Sequence, residues 1–274
     1  MRVSLRVTLA AAAALAAPAG GNAQASYGVS AGAARLSDTR TERAVTAVLQ
    51  YQAGGWLTFS ALPSYVHVAD GGLTSTGLGD LPLVAGAAHT FTNSWSPTVG
   101  AALVATLPTG DATCGLGTGQ TSWGLDAGVS VAPSAALRVS ASGSHGLSGL
   151  GTQSALSASQ ATALRFEAAL AVSQRWVLGG SLGGDVGHAD SGQALARTVG
   201  AGASYAVAGP LALTFDVGHG LNGTSPQWVL SIGIGTAFSG ISPVAPTSSL
   251  RRLKDSFGGG VSRGGGSGKV GGCH

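Results

Sequence analysis

Little in this sequence could do chemistry, so the residues that could are easily singled out. Charged residues make up 9% of the 274, against about 25% in an ordinary soluble domain. Seven of them, Asp126, Arg138, Arg165, Glu167, Arg175, Asp185 and Asp216, share one parity within segments of alternating polarity. The opposite parity carries Leu125, Val129, Leu164, Phe166, Trp176, Leu182, Phe215 and Val217. Side chains alternate across an extended strand, so this pattern places the charges on one face and the apolar groups on the other. Charges facing a common interior can form a polar constriction that selects solutes by charge and size. They can equally form a structural network that fills a narrow interior. The first five lie on four successive segments, and neighbouring strands sit about 4.8 Å apart, so a ladder of opposite charges across the wall is feasible.

Other chemistries find less support. The six histidines are scattered at 67, 89, 145, 188, 219 and 274. His145 with Ser148, and His188 with Asp190 and Ser191, are the pairings a lipid hydrolase would need, but no Gly-x-Ser-x-Gly surrounds either serine. Gly110 and Gly115 have the spacing of a phosphate loop, but Leu116 stands where its lysine would be. The two cysteines, Cys114 and Cys273, offer neither a disulfide framework nor a metal site. No catalytic residue, cofactor or metal is expected.

The elements that must hold the seven charges are strands. In Trp228–Phe238, Trp228, Leu230, Ile232, Ile234 and Phe238 fall on one face, while Val229, Ser231, Gly233 and Gly235 fall on the other. An apolar face with an aromatic at each end, about 9–11 residues long, suits a strand crossing a bilayer. Twelve segments repeat it: 26–34, 43–52, 56–67, 78–91, 95–107, 120–132, 135–145, 160–172, 174–187, 193–207, 210–219 and 226–238. Trp56 breaks the parity of Leu57 and Phe59. Only helices and closed barrels satisfy all backbone groups in lipid, and no segment after the N-terminus is an apolar run of helical length. The fold expected is all-β, a transmembrane antiparallel up-and-down barrel of about twelve strands. Short connections alternate with longer ones such as 35–42, 68–77, 108–119 and 146–159, which predicts short periplasmic turns and longer external loops.

The ends frame the barrel. Arg2 and Arg6, the apolar stretch Val7–Ala17, Pro18 and Ala23-Gln24-Ala25 read as an export signal over 1–25, with cleavage before Ser26. The barrel then occupies 26–238. Residues 239–274 are Gly, Ser and basic residues without alternation and read as a disordered tail, a solvated linker whose Arg251-Arg-Leu-Lys254 could touch anionic lipid. Between Ser26 and Phe238, seven arginines face ten acids with no lysine, a net of −3 that gives no basis for nucleic-acid binding.

One group of motifs carries a resemblance. Gly77-Leu-Gly-Asp80, then a strand, then Leu107-Pro-Thr-Gly-Asp111 and Gly115-Leu-Gly-Thr-Gly119 resemble an outer-membrane barrel family named for the meta-cleavage pathway of phenol degradation. The resemblance implies a β-barrel in the bacterial outer membrane and passage of small hydrophobic or aromatic compounds. Pro108, Thr109, Gly110 and Asp111 would then belong to an external loop that shapes solute admission. The partners implied are outer-membrane lipid, a small solute and, during assembly, the insertion machinery. A structural or adhesive barrel without a pore is the alternative function, and a lipid hydrolase the third. Such barrels usually end on their terminal aromatic, whereas 36 residues follow Phe238 here.

Overall fold

The computed structural model describes residues 24–147, 162–186, 197–222 and 226–238. Fourteen strand segments follow in order: β1 (Gln24–Arg35), β2 (Arg40–Ala53), β3 (Leu57–Ala61), β4 (Ser64–Asp70), β5 (Leu73–Leu78), β6 (Leu81–Thr90) and β7 (Thr98–Leu107). The second half comprises β8 (Ser122–Val131), β9 (Leu137–Leu147), β10 (Thr162–Ala171), β11 (Trp176–Val186), β12 (Arg197–Ala208), β13 (Leu211–Gly220) and β14 (Trp228–Gly235). β2 pairs with β3 through its second half and with β4 through its first. β3 and β4 are therefore two halves of one strand, divided at Leu62-Pro63, where proline has no N–H to give the ladder. β5 and β6 are likewise one strand, with an extra residue at Gly79-Asp80: Gly79 N donates to Ser64 O and Leu62 N to Pro82 O, so the register advances by one between them. The wall thus has twelve strands, and it closes because β1 pairs with both β2 and β14.

Register places the same parity inward around the whole ring. Gly28, Ser30, Gly32 and Ala34 of β1 lie beside Val48, Thr46, Ala44 and Glu42 of β2 on one side and Gly235, Gly233, Ser231 and Val229 of β14 on the other. The outward face is apolar and open: Phe166 and Leu182 are each 57% exposed, Leu230 is 55% exposed and Val217 is 50% exposed. Apolar surface on this scale suits a hydrocarbon surround rather than water. Aromatic residues gather near the tight-turn end, with Trp176 stacked obliquely on Tyr205, ring centroids 4.9 Å apart. Trp56 and Trp95 sit in the turns themselves, which is why Trp56 fails the parity that Leu57 and Phe59 obey.

Three expectations are corrected. The segment 68–77 is not a long loop. β4 and β5 run through it as a hairpin closed by Gly71 (φ 57°) and Gly72 (φ 88°), a left-handed pair that a two-residue hairpin turn requires and glycine adopts without strain. On the tight-turn side, the connection after β6 spans 91–97, longer than the three residues 92–94 expected. The last strand stops at Gly235, and Thr236–Phe238 form a short 3₁₀ turn. That turn carries Phe238 into the barrel, where it is 8% exposed and packs with Val48, Leu62, Ala212 and Ala237. Phe238 therefore does not belong to the outward aromatic set. β1 begins at Gln24, so a chain cut before Ser26 would lose the first two residues of that strand. The rest of the expected signal, and the expected tail 239–274, lie outside the described residues.

Replacing Leu182 by Arg places a charge on the lipid-facing side near the middle of β11 and is expected to lower barrel stability by about 2–4 kcal/mol. Urea titration of the folded protein in lipid vesicles checks this. The lumen-facing Ala169→Arg should cost distinctly less.

Candidate functional site

The interior of the barrel is where the charges meet. Asp126 is buried and lies beside Ala102 on β7 and Ser144 on β9. Arg138, Arg165, Glu167, Asp185 and Asp216 are all partly buried on the inward parity of β9, β10, β11 and β13. Arg165 Nε donates to Glu167 Oε1 at 2.5 Å, and Arg165 Nη2 donates to Ser181 Oγ at 3.1 Å. This ion pair runs along one strand between residues two apart, rather than across strands as a ladder would. Arg175 stands elsewhere. It is exposed in the turn before β11 and donates to the hydroxyl of the outward-facing Tyr205 at 3.3 Å, so it lines no constriction.

A second inward cluster escaped the sequence analysis. Arg40 Nη2 lies 2.6 Å from Glu42 Oε1, and Arg40 Nη1 lies 4.0 Å from Asp70 Oδ2. Glu42 is almost wholly buried, at 2% exposure, a position a carboxylate holds only with a partner. Glu42 and Asp70 fell in stretches read as loops. The signals that could have placed them were the alternation on either side and the Gly-Gly turn between β4 and β5.

The loop after β7 joins this cluster. It does not stand above the barrel but folds into it. Cys114 and Leu116 pack against Ala34, Ala44, Val66 and Val68, all on the inner wall. Arg40 Nη2 reaches the Gly115 carbonyl at 3.4 Å. The anchor is Asp80, 3% exposed, at the extra residue between β5 and β6. Its Oδ1 accepts from Gly110 N at 3.1 Å, while its Oδ2 accepts from Thr118 N at 2.7 Å and Thr118 Oγ1 at 2.9 Å. Thr109 Oγ1 adds a bond to the Gly79 carbonyl at 2.7 Å. The turn is so close that a Cβ on Gly110 would lie 2.4 Å from the Leu116 carbonyl oxygen, and one on Gly117 would lie 2.2 Å from Asp80 Oδ1. Glycine is required at both. Pro108 and Thr109 are exposed at the start of this loop. Asp111 is exposed too and caps the 3₁₀ turn Ala112–Cys114. Hydrogen bonds from the Thr113 side chain and then its backbone hold the Asp111 carboxyl below its usual range.

The three glycine-rich motifs are therefore one object, a carboxylate and the two stretches of loop it clasps. Arranged this way they narrow the lumen from the end opposite Phe238. Among the candidate hydrolase residues, His145 faces outward and its Nδ1 lies 2.8 Å from Thr162 Oγ1. Ser148, His188, Asp190 and Ser191 lie outside the described residues. No group of three metal-ligating side chains is found among the described residues.

Comparison with known proteins agrees with this architecture. The family model described as "Putative MetA-pathway of phenol degradation" matches residues 15–238. Among solved structures, the fold is similar to an outer membrane channel from Pseudomonas putida F1, with 17% identity, a TM-score of 0.59, and 80% of this chain and 98% of that one covered. It is also similar to the KdgM porin, with 11% identity, a TM-score of 0.51, and 77% and 97% of the two chains covered. No curated protein sequence matches the chain.

Removing the clasp should free the loop. Asp80→Ala strips the acceptor from three donors, and losing even one hydrogen bond to a charge, about 1.5–3 kcal/mol, raises the open population roughly tenfold or more. Gly110→Ala should act in the same direction through the clash with Leu116. Cleavage within 108–119 by externally added protease is the readout: faster in both variants, slow in the parent protein.

Proposed function

The chain belongs to the family described as "Putative MetA-pathway of phenol degradation", and on that premise we propose that it is an outer-membrane channel through which small hydrophobic or aromatic solutes diffuse down their gradients. The observation that carries the reading is the interior itself: a closed twelve-strand wall, lined largely by Gly, Ala and Ser, with a clasped loop narrowing one end. Twelve strands lie between the roughly eight that side chains can fill and the sixteen or more that leave a wide aqueous channel. A passage built in this way favours small solutes. The family description names a phenol-degradation pathway, and that supports aromatic compounds as the class carried. The outward apolar band supports a lipid surround, and the barrel class supports the outer membrane as its location.

In this mechanism nothing is transformed and no energy is spent. A solute reaches the external mouth, passes the rim of loop 108–119, and crosses an interior whose polar groups are fixed to the wall. Arg165 and Glu167 set the local field on the far side of that passage. The inward positions of Leu116 and Phe238 also support a second reading, a structural barrel whose two ends are stopped by its own side chains. Planar-bilayer conductance of the refolded mature protein, run beside liposome uptake of benzoate or toluene, separates the two. Uptake with small conductance is the expected result. Absence of both would favour the stopped barrel. Reversing the charge of Arg165 to Glu should shift ion preference toward cations, and an unchanged preference would remove the constriction role.

A further inference from the structure

Most charges of the wall point inward, and the exceptions cluster. Every carboxylate within the described strands, those of Glu42, Asp70, Asp126, Glu167, Asp185 and Asp216, lies on the inward parity. Arg35, Arg43, His67 and His219 lie on the outward one. All four stand toward the end of the barrel that carries the longer connections, the external end of a wall spanning the outer membrane. At the opposite rim the outward side chains are aromatic, among them Tyr27, Tyr51, Trp176 and Tyr205, with Arg175 held against the Tyr205 hydroxyl.

Register brings the four together. Trp228 lies between Arg35 and His219 in one row across β1, β14 and β13. Arg43 is directly opposite His67 on β4. Arg35 is opposite Thr41, two positions from Arg43 along β2, so the two arginines are diagonal neighbours, about 7–8 Å apart. The result is one patch over five neighbouring strands, with two guanidiniums, two imidazoles and an indole. Arg43 is exposed and makes no hydrogen bond or ion pair with any described residue. Arg35 donates through Nε and Nη2 to the carbonyls of Ser37 and Asp38. The nearest acid is Asp38, whose Oδ1 lies 3.9 Å from Arg35 Nη2 and accepts from Gln227 Nε2 at 2.7 Å. His67 Nδ1 lies 2.7 Å from Thr76 Oγ1, which leaves its Nε2 to a ligand.

Depth decides what the patch can meet. Arg43 and Tyr51 share the outward parity of β2. At a rise of about 3.4 Å per residue and a tilt of about 40°, they are roughly 20 Å apart along the membrane normal. With Tyr51 at one interface, Arg43 therefore reaches the opposite edge of an apolar band about 25 Å tall, where a charge costs little and the headgroups begin. We propose that this patch binds the phosphorylated glycolipid of the outer leaflet. Arg35 and Arg43 hold a sugar-linked phosphate between them, since a guanidinium fork matches phosphate oxygens. The imidazoles of His67 and His219 flank it as further donors, and the apolar face of Trp228 lies against the sugar ring. The charge asymmetry of the outward face then matches the asymmetry of the bilayer, with cations at the leaflet richest in phosphate. The inference needs a lipid-facing wall, but it does not need an open lumen.

The test uses the refolded mature protein in a neutral maltoside detergent, with bisphosphorylated lipid A as the probe and native mass spectrometry as the readout. One lipid A should stay bound, and the same lipid stripped of both phosphates should not. Arg35→Gln and Arg43→Gln should each weaken binding about tenfold or more, the scale of one lost charge-assisted hydrogen bond. Arg43→Lys should fall between the parent and Arg43→Gln, and Arg175→Gln at the far rim should bind as the parent does. Heat-modifiable mobility on a gel checks that each variant is a folded barrel. Equal binding of the dephosphorylated lipid, or folded Arg35→Gln and Arg43→Gln variants that bind as tightly as the parent, would overturn the site. Phosphatidylglycerol bound as tightly as lipid A would overturn the glycolipid assignment. Absence of solute uptake, with lipid A binding and its arginine dependence intact, would remove the channel reading and leave this site standing.

Discussion

A strand in hydrocarbon has no water to take up its backbone N–H and C=O groups, and each one left unpaired costs several kcal/mol. That constraint organises this molecule. It is why β1 must find β14 after finding β2, and why the interruptions at Leu62-Pro63 and Gly79-Asp80 are bridged by further backbone bonds rather than left open. It also divides the side chains. Once the wall closes, every residue faces either lipid or lumen. With the apolar residues committed to lipid, most charges within the strands fall on the interior.

Within that interior the decisive group is one carboxylate. Asp80 occupies the position where the wall gains a residue, so its side chain is presented inward beside Gly79, which also faces the lumen. There it accepts from both limbs of the following loop. The glycines at 110 and 117 answer to the same requirement, since the two limbs and the carboxylate lie closer than any Cβ allows. A motif that looks like a nucleotide-binding or turn signature in one dimension is in three dimensions a device for holding a loop inside a barrel.

Much of the architecture was legible in the sequence. Period-two alternation reports directly on a two-sided wall, so Leu164, Phe166 and Leu170 betray their lipid face, and the inward parity of Arg165 and Glu167 follows from it. The site was less legible, for physical reasons. Whether Arg165 would pair along its own strand or across to a neighbour depends on rotamers that no pattern encodes. Arg175 shares the parity of its strand but stands before its first ladder residue, where parity no longer binds. Phe238 had the right type and spacing for a terminal aromatic, yet Gly235 ends the strand and lets the chain turn in. Glu42 and Asp70 were obscured because the Asp-Gly-Gly turn between β4 and β5 was read as part of a loop. The inward fold of residues 108–119 rests on contacts with Asp80, some thirty residues earlier, which no local rule supplies.

The lining of small residues has an evolutionary side. At Gly124, Gly179 and Gly183 a Cβ would meet its nearest neighbour only at ordinary contact distance, 3.4 Å or more. Substitutions there would change the bore while leaving the ladder and the lipid-facing packing as they are. At such positions bore and membrane packing are set by opposite faces of the same strands, and mutations can change one with little penalty in the other. A wall of this kind can have its bore re-cut by single steps while its outer surface stays as it is.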